Sequence, residues 1–255
     1  METTSRPLYL FANWKMYLDY EESLALARSL ESQRDLPQEL ALAVFPSALA
    51  FAGVQRALAG TTVKTGAQNI HWLDKGGYTG EVSAHMYQGL GAEYALIGHS
   101  ERRHLCGETN HDVRQKMEAA LLSGLTPVLC VGETTQEREA GQETEVVEAQ
   151  LRAAYEEIAW PAGRPIVIAY EPVWAIGTGM ACDAEEAGRM HTMINTFVRA
   201  LLPEGESSIL YGGSVRPENV LEYFRQPHVS GVLVGGASVK PESWNGIVTQ
   251  IKTLF

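Results

Sequence analysis

The chain has 255 residues, is 45% hydrophobic, and carries a formal net charge of −11 with a pI near 5.1. That length and apolar content can bury a full core, either as one α/β barrel or as two small domains. So acidic a surface repels polyanions and excludes nucleic acid as an expected partner, yet a small anion can still bind where lysines, glycine amides and helix N-termini converge.

The polar start, Met1 to Arg6, shows neither a signal peptide nor an anchor, and no stretch is long and apolar enough to cross a membrane. A cytoplasmic location without a membrane partner is expected. Cys106, Cys130 and Cys182 are too few and too scattered for a disulfide framework, and each is read as a small buried hydrophobe.

In chain order, the first apolar run begins near Pro7 and leaves Asn13 and Lys15 at its carboxyl end. Asp19 and Glu22 have capping-box spacing and start a helix before Leu24. Further strands begin near Leu40 and near Thr62, the latter ending at Gln68 and Asn69. The segment from Gln68 to Ser83 is too long for a routine turn, and Trp72 and Tyr78 on it suggest at least a local mini-core. A fourth strand begins at Glu93 and closes on His99; a fifth begins at Thr126. The sixth, from Pro165, runs without polar alternation through Ile166 to Tyr170 and ends in Glu171, the pattern of a strand buried on both faces of a parallel sheet. Pro172 stops it, and the residues through Gly179 read as a closable loop. A second capping pair, Asp183 with Glu186, opens a helix through Phe197. Strands seven and eight, from Ser207 and Ser230, run into Gly212-Gly213-Ser214 and Gly235-Gly236.

Eight strands alternating with helices at about 32 residues per unit predict an α/β fold, a (β/α)8 barrel in a single domain over residues 1–255, with functional groups at the carboxyl ends of the strands. An open doubly wound sheet is the alternative, but its glycine-rich turn is missing after strand one. Alone, His99 would be a core histidine, Lys15 a solvated cation and each glycine pair a tight turn. The other six histidines are read as structural, and His104, Cys106 and His111 match no ligand spacing, so no metal is expected. Together, the strand ends offer a base (Glu171), an electrophile (His99), a cation (Lys15) and a phosphate cradle after strands seven and eight. That set suits proton transfer beside a carbonyl in a phosphorylated metabolite, with no cofactor and a lid that excludes water.

Asn13-Trp-Lys-Met, Gly66-Ala-Gln-Asn, Tyr78-Thr-Gly-Glu-Val-Ser-Ala, Ile97-Gly-His-Ser-Glu-Arg-Arg, Cys130-Val-Gly-Glu, Ala169-Tyr-Glu-Pro-Val-Trp-Ala-Ile-Gly-Thr-Gly, Tyr211-Gly-Gly-Ser-Val and Val234-Gly-Gly-Ala-Ser resemble the triosephosphate isomerase family over essentially the whole chain. The resemblance implies a TIM barrel, and an aldose–ketose isomerase of glycolysis and gluconeogenesis that interconverts dihydroxyacetone phosphate and D-glyceraldehyde 3-phosphate through an enediolate. It implies that Glu171 moves the proton, neutral His99 polarises the carbonyl, Lys15 supplies positive charge, Asn13 donates to a substrate oxygen and Glu101 orients its neighbours. The pairing of a glutamate base with a neutral histidine is the family's known chemistry and is carried over as such. Amides of Gly177, Ser214, Gly235 and Gly236 would hold phosphate, while Ile176 and Leu233 would enclose the base and raise its basicity on lid closure. A homodimer through the loop around Gln68 to Ser83 is also implied, with Thr79 approaching the Asn13 region of the partner subunit.

Three departures from the family stand out: Met180-Ala181-Cys182 at the lid's far hinge, where a lysine is usual, Tyr17 in place of a common asparagine, and Ser230 in place of an aspartate. The first should affect gating; the other two are read as peripheral. An isomerase of four-carbon sugar phosphates could share every motif. A Schiff-base aldolase would need a lysine at a late strand end, where Glu171 stands instead. A barrel that only binds or scaffolds would lack a catalytic group.

Overall fold

The computed structural model describes residues 7–30, 36–176 and 181–255. Eight strands, β1 (Leu8–Asn13), β2 (Leu40–Phe45), β3 (Lys64–Ala67), β4 (Tyr94–Ile97), β5 (Thr126–Val131), β6 (Ile166–Tyr170), β7 (Ser207–Tyr211) and β8 (Val229–Val234), pair in parallel in sequence order, and β8 pairs back onto β1 to close the barrel. The strand starts fall within two residues of those expected. Pro7 and Pro165 stay just outside β1 and β6, since neither has an N–H to give the ladder.

The period of two along each strand sorts side chains between two cores. Tyr9, Phe11, Phe45, Tyr94, Leu96, Val128, Val167, Ala169, Leu210 and Leu233 fill the barrel interior. Their alternates, such as Leu10, Ala12, Ile166 and Ile168, pack outward against the helices. The interior mixes large and small residues: Phe11 lies 5.4 Å from Phe45 and 4.8 Å from Tyr94, centroid to centroid, and a Cβ on Gly66 would come 2.2 Å from the Phe45 ring.

Among the described residues there are ten α-helices rather than one per strand: α1 (Tyr20–Leu30), α2 (Phe51–Ala57), α3 (Ala84–Gly89), α4 (Ser100–Leu105), α5 (Asn110–Leu122), α6 (Thr135–Glu139), α7 (Glu143–Tyr155), α8 (Ala184–Leu201), α9 (Val220–Phe224) and α10 (Pro241–Lys252). The surplus is α4 and α6, short helices that precede the packing helices α5 and α7. The expected box before α1 is reciprocal: Glu22 N–H donates to Asp19 and Asp19 N–H to Glu22, both at 2.9 Å. Before α8 only half of it forms, because Glu186 engages Arg138 and Arg189 instead of returning to Asp183. Two further boxes, Thr109 with Asp112 and Thr134 with Glu137, start α5 and α6.

In the long loop after β3, His71 N–H donates to the Val82 carbonyl at 2.9 Å and Ala84 N–H to the His71 carbonyl at 3.3 Å. The His71 ring packs on Trp72 at 4.4 Å and on Tyr78 at 4.5 Å, so a local mini-core does form. Cys130 and Cys182 are buried as expected, but Cys106 is exposed, since it follows α4 on the surface and faces no core. Among the described residues no helix is long and apolar enough to cross a membrane, and no cluster of three metal-ligating side chains occurs.

Candidate active site

The carboxyl ends of the strands surround a cavity of about 650 Å³. Asn13, Lys15, His99, Glu101, Glu171, Ile176, Ser214, Leu233, Gly235 and Gly236 all line it, whereas Gln68 and Asn69, at the end of β3, do not. Gly177 and Met180 lie outside the described residues.

The strand period explains the aim of two of these side chains. Tyr9 and Phe11 point into the barrel, and Asn13 continues that row; Val167 and Ala169 do the same, and Glu171 continues theirs. Glu171 is 2% exposed. Its placement requires bare backbone on both flanks: a Cβ on Gly132 would fall 1.8 Å from the Glu171 carbonyl oxygen, and one on Gly212 would fall 2.9 Å from Glu171 Cγ. His99 does not follow the strand row. Gly98, at φ +71°, turns the chain, and half-buried Arg103 holds the turn by donating Nε–H to the Gly98 carbonyl at 2.7 Å.

His99 then serves as the N-cap of α4. Its Nδ1 accepts from Glu101 N–H at 3.3 Å, which leaves the ring proton on Nε2, 3.0 Å from Glu171 Oε1. The other carboxylate oxygen accepts from Ser100 N–H at 2.7 Å. Burial by itself would raise the pKa of Glu171, but the His99 ring and the Ser100 amide outweigh it and hold the carboxyl below its usual range. For His99, burial pulls downward while Glu171 pulls upward and wins. Docked in this way the carboxylate is a weak base and the ring is biased toward accepting a proton. Lys15 adds to the downward pull on the ring, and Glu101, whose Oε2 lies 3.7 Å from Nδ1, adds to the upward one.

Lys15 takes a left-handed backbone, φ 49°, uncommon for a residue with a Cβ. Three bonds hold it there: its N–H donates to Asn13 Oδ1 at 3.0 Å, Gln68 Nε2 donates to its carbonyl at 2.8 Å, and its Nζ meets Glu101 Oε1 at 2.7 Å. Gln68 also donates to the Phe45 carbonyl at 2.8 Å, so it ties the β1 end to β2. Asn69, grouped with it in the sequence, instead accepts from Lys116 Nζ at 2.7 Å, away from the cavity. A Cβ on Gly235 would press on Lys15 Cε at 3.1 Å.

The segment that follows Glu171, the near hinge of the expected lid, is anchored behind the site. Fully buried Glu133 accepts from Trp174 Nε1 at 2.7 Å and from Tyr170 Oη at 3.0 Å, and its carbonyl accepts from Val173 N–H at 3.1 Å. Burial raises its pKa, with these donors opposing. Arg138 lies over the Trp174 ring at 5.2 Å. Ser214 Oγ donates to the Ala175 carbonyl at 3.3 Å, joining the hinge to the loop after β7. Sequence reasoning missed Ser100 and Glu133. Ser100 acts through its backbone, which carries no sequence signal, and Glu133 lies within the Cys130-Val-Gly-Glu motif without its partner being named. Tyr17, read as peripheral, lines the cavity.

A family model described as triosephosphate isomerase matches residues 8–251. A triosephosphate isomerase of Picosynechococcus sp. is 42% identical over 247 residues, covering 96% of this chain and 100% of that protein. Those of Aquifex aeolicus and Rhodopirellula baltica are 41% and 40% identical, covering 93% and 96% of this chain and 96% and 97% of theirs.

Proposed function

The chain belongs to the triosephosphate isomerase family and is an aldose–ketose isomerase of triose phosphates, and on that premise we propose how its residues divide the reaction. Glu171 removes and returns the proton between adjacent carbons. His99, through Nε2–H, and Lys15, through its ammonium, stabilise the enediolate oxygen, and Asn13 donates to the same region. Glu101 holds Lys15 and, through its backbone N–H, fixes the tautomer of His99. Backbone amides at Ser214, Gly235 and Gly236 receive the phosphate, joined by Gly177 from the lid, and Ile176 and Leu233 close over the base.

The observation that carries this reading is the position of Glu171: a buried carboxylate on the cavity wall, 3.0 Å from the His99 nitrogen that bears the proton. Substrate entry must break that contact, so the same pair that rests together becomes base and electrophile on either side of the reacting carbons. A coupled assay of wild type and Glu171→Gln with three-carbon and four-carbon sugar phosphates tests it. A fall of about 10²–10⁴-fold in kcat for the triose phosphate is expected; unchanged turnover would overturn the assignment.

We further propose a homodimer and a cytoplasmic location. The dimer is supported by large apolar side chains left exposed on the loops after β1, β2 and β3, namely Met16 at 95%, Leu49 at 80% and Tyr78 at 48%. Sedimentation of the free chain should give a dimer, and a verified monomeric variant should lose most activity.

A further inference from the structure

We propose that the mouth of the cavity carries a second anion subsite, formed by Tyr17, Arg216 and Lys240, which takes the outer anionic group of a bis-anionic sugar phosphate and makes such molecules competitive inhibitors. It rests on the reading of Ser214, Gly235 and Gly236 as the phosphate cradle. Three loops contribute, after β1, β7 and β8, and all three residues line the cavity.

The charges decide the sign of the ligand. The carboxylates lining the cavity are both engaged, Glu101 by Lys15 and Glu171 by His99. Arg216 and Lys240 also line it, and among the described residues neither has a carboxylate partner. Two unneutralised cations at one opening of a chain with net charge −11 make that opening the natural place for an anion.

Backbone geometry ties this rim to the cradle. Asn219 Oδ1 accepts from Arg216 N–H at 2.7 Å, and Asn219 Nδ2 donates to the Ser214 carbonyl at 3.1 Å, so the arginine is set two residues beyond a cradle residue by one bracing side chain. Lys240 ends the short 3₁₀ turn that begins at Gly236. Tyr17 leans over the same glycine: its hydroxyl and ring edge lie 3.9 Å from where a Cβ on Gly236 would stand. Tyr17 is 59% exposed and lines the cavity. A triose phosphate has one phosphate and leaves this rim empty; a longer ester with a phosphate at each end fills both positions.

The test compares fructose 1,6-bisphosphate with fructose 6-phosphate as inhibitors of isomerisation, with inorganic phosphate as the control for the cradle. The bisphosphate should inhibit at least about fivefold more strongly than the monophosphate, as expected of two exposed charged contacts. Arg216→Ala with Lys240→Ala should bring that ratio near one, and Tyr17→Phe, which changes no charge, should lower it by about twofold, while inorganic phosphate competes equally with every variant. Competition by inorganic phosphate together with a ratio near one in the wild type, or a ratio the double variant leaves unchanged, would overturn the subsite alone. Failure of inorganic phosphate to compete would overturn the cradle reading and the subsite with it.

Discussion

His191 gives the structure its sharpest pH liability. It sits on α8 with no exposure, its Nδ1 lies 3.3 Å from the His228 carbonyl, and its Nε2 has no hydrogen-bond partner among the described residues. A ring that donates at one nitrogen and faces apolar atoms and the edge of Tyr170 at the other is held neutral, and burial pushes its pKa down from 6.5 to about 4. The unfolded chain, with an ordinary imidazole, binds the proton at about pH 6.5, so between about pH 6.5 and 4 unfolding takes up a proton and stability falls as pH falls. A difference of about 2.5 units amounts to about 3.4 kcal/mol in full, of which about 2 kcal/mol is lost by pH 5. Urea titrations of wild type and His191→Leu at pH 7.5 and pH 5.0, at one protein concentration, isolate this contribution. The variant can be less stable at both values, through a lost hydrogen bond and poorer packing, but its drop between them should be smaller by about 2 kcal/mol, because the carboxylates common to both proteins cancel. Equal drops would refute the reasoning.

Gly212→Ala should set a methyl against Glu171 Cγ and the Tyr170 carbonyl; an expected loss of about 10²-fold in kcat/KM with an intact fold, judged by circular dichroism, would reflect a displaced base. Trp174→Phe removes a donor from buried Glu133 and should cost about 1–3 kcal/mol, read as a lower thermal midpoint, with an altered kcat if hinge motion limits turnover. Gln68→Leu deletes two hydrogen bonds at 2.8 Å and loosens the left-handed Lys15; KM for the triose phosphate should rise several-fold, and an unchanged KM would show that Asn13 and Glu101 suffice to place the lysine. Leu233→Ala should lower turnover, measured in the same coupled assay, by enlarging the space around the base.

Much of the site was legible because chemistry and position coincide in a (β/α)8 barrel. Asn13 and Glu171 each extend a row of inward residues, so the period of two already aims them at the axis. Glycine pairs after β7 and β8 were readable for the same reason. What could not be read is anything carried by backbone donors or by contacts across the ring of strands. Ser100 meets Glu171 through an N–H that every residue but proline owns. Glu133 looks like any glutamate until folding puts it under Trp174 and Tyr170. The departure of Tyr17 from the family pattern was visible, but its place over Gly236 was not.

By itself, then, the sequence determined the order of strands and helices, the barrel and the family, because these follow from local periodicity and from motifs whose residues are neighbours in the chain. Tertiary structure decided the protonation chemistry. The pKa of Glu171 is held low by a histidine 72 positions earlier and an amide 71 positions earlier, Lys15 is gripped in place by a glutamate 86 positions later, and there is room on both flanks of Glu171 only because glycines stand just past the ends of the adjoining strands β5 and β7. A pKa is set by the charges, donors and solvent within a few ångströms, and in a closed barrel those come from every part of the chain.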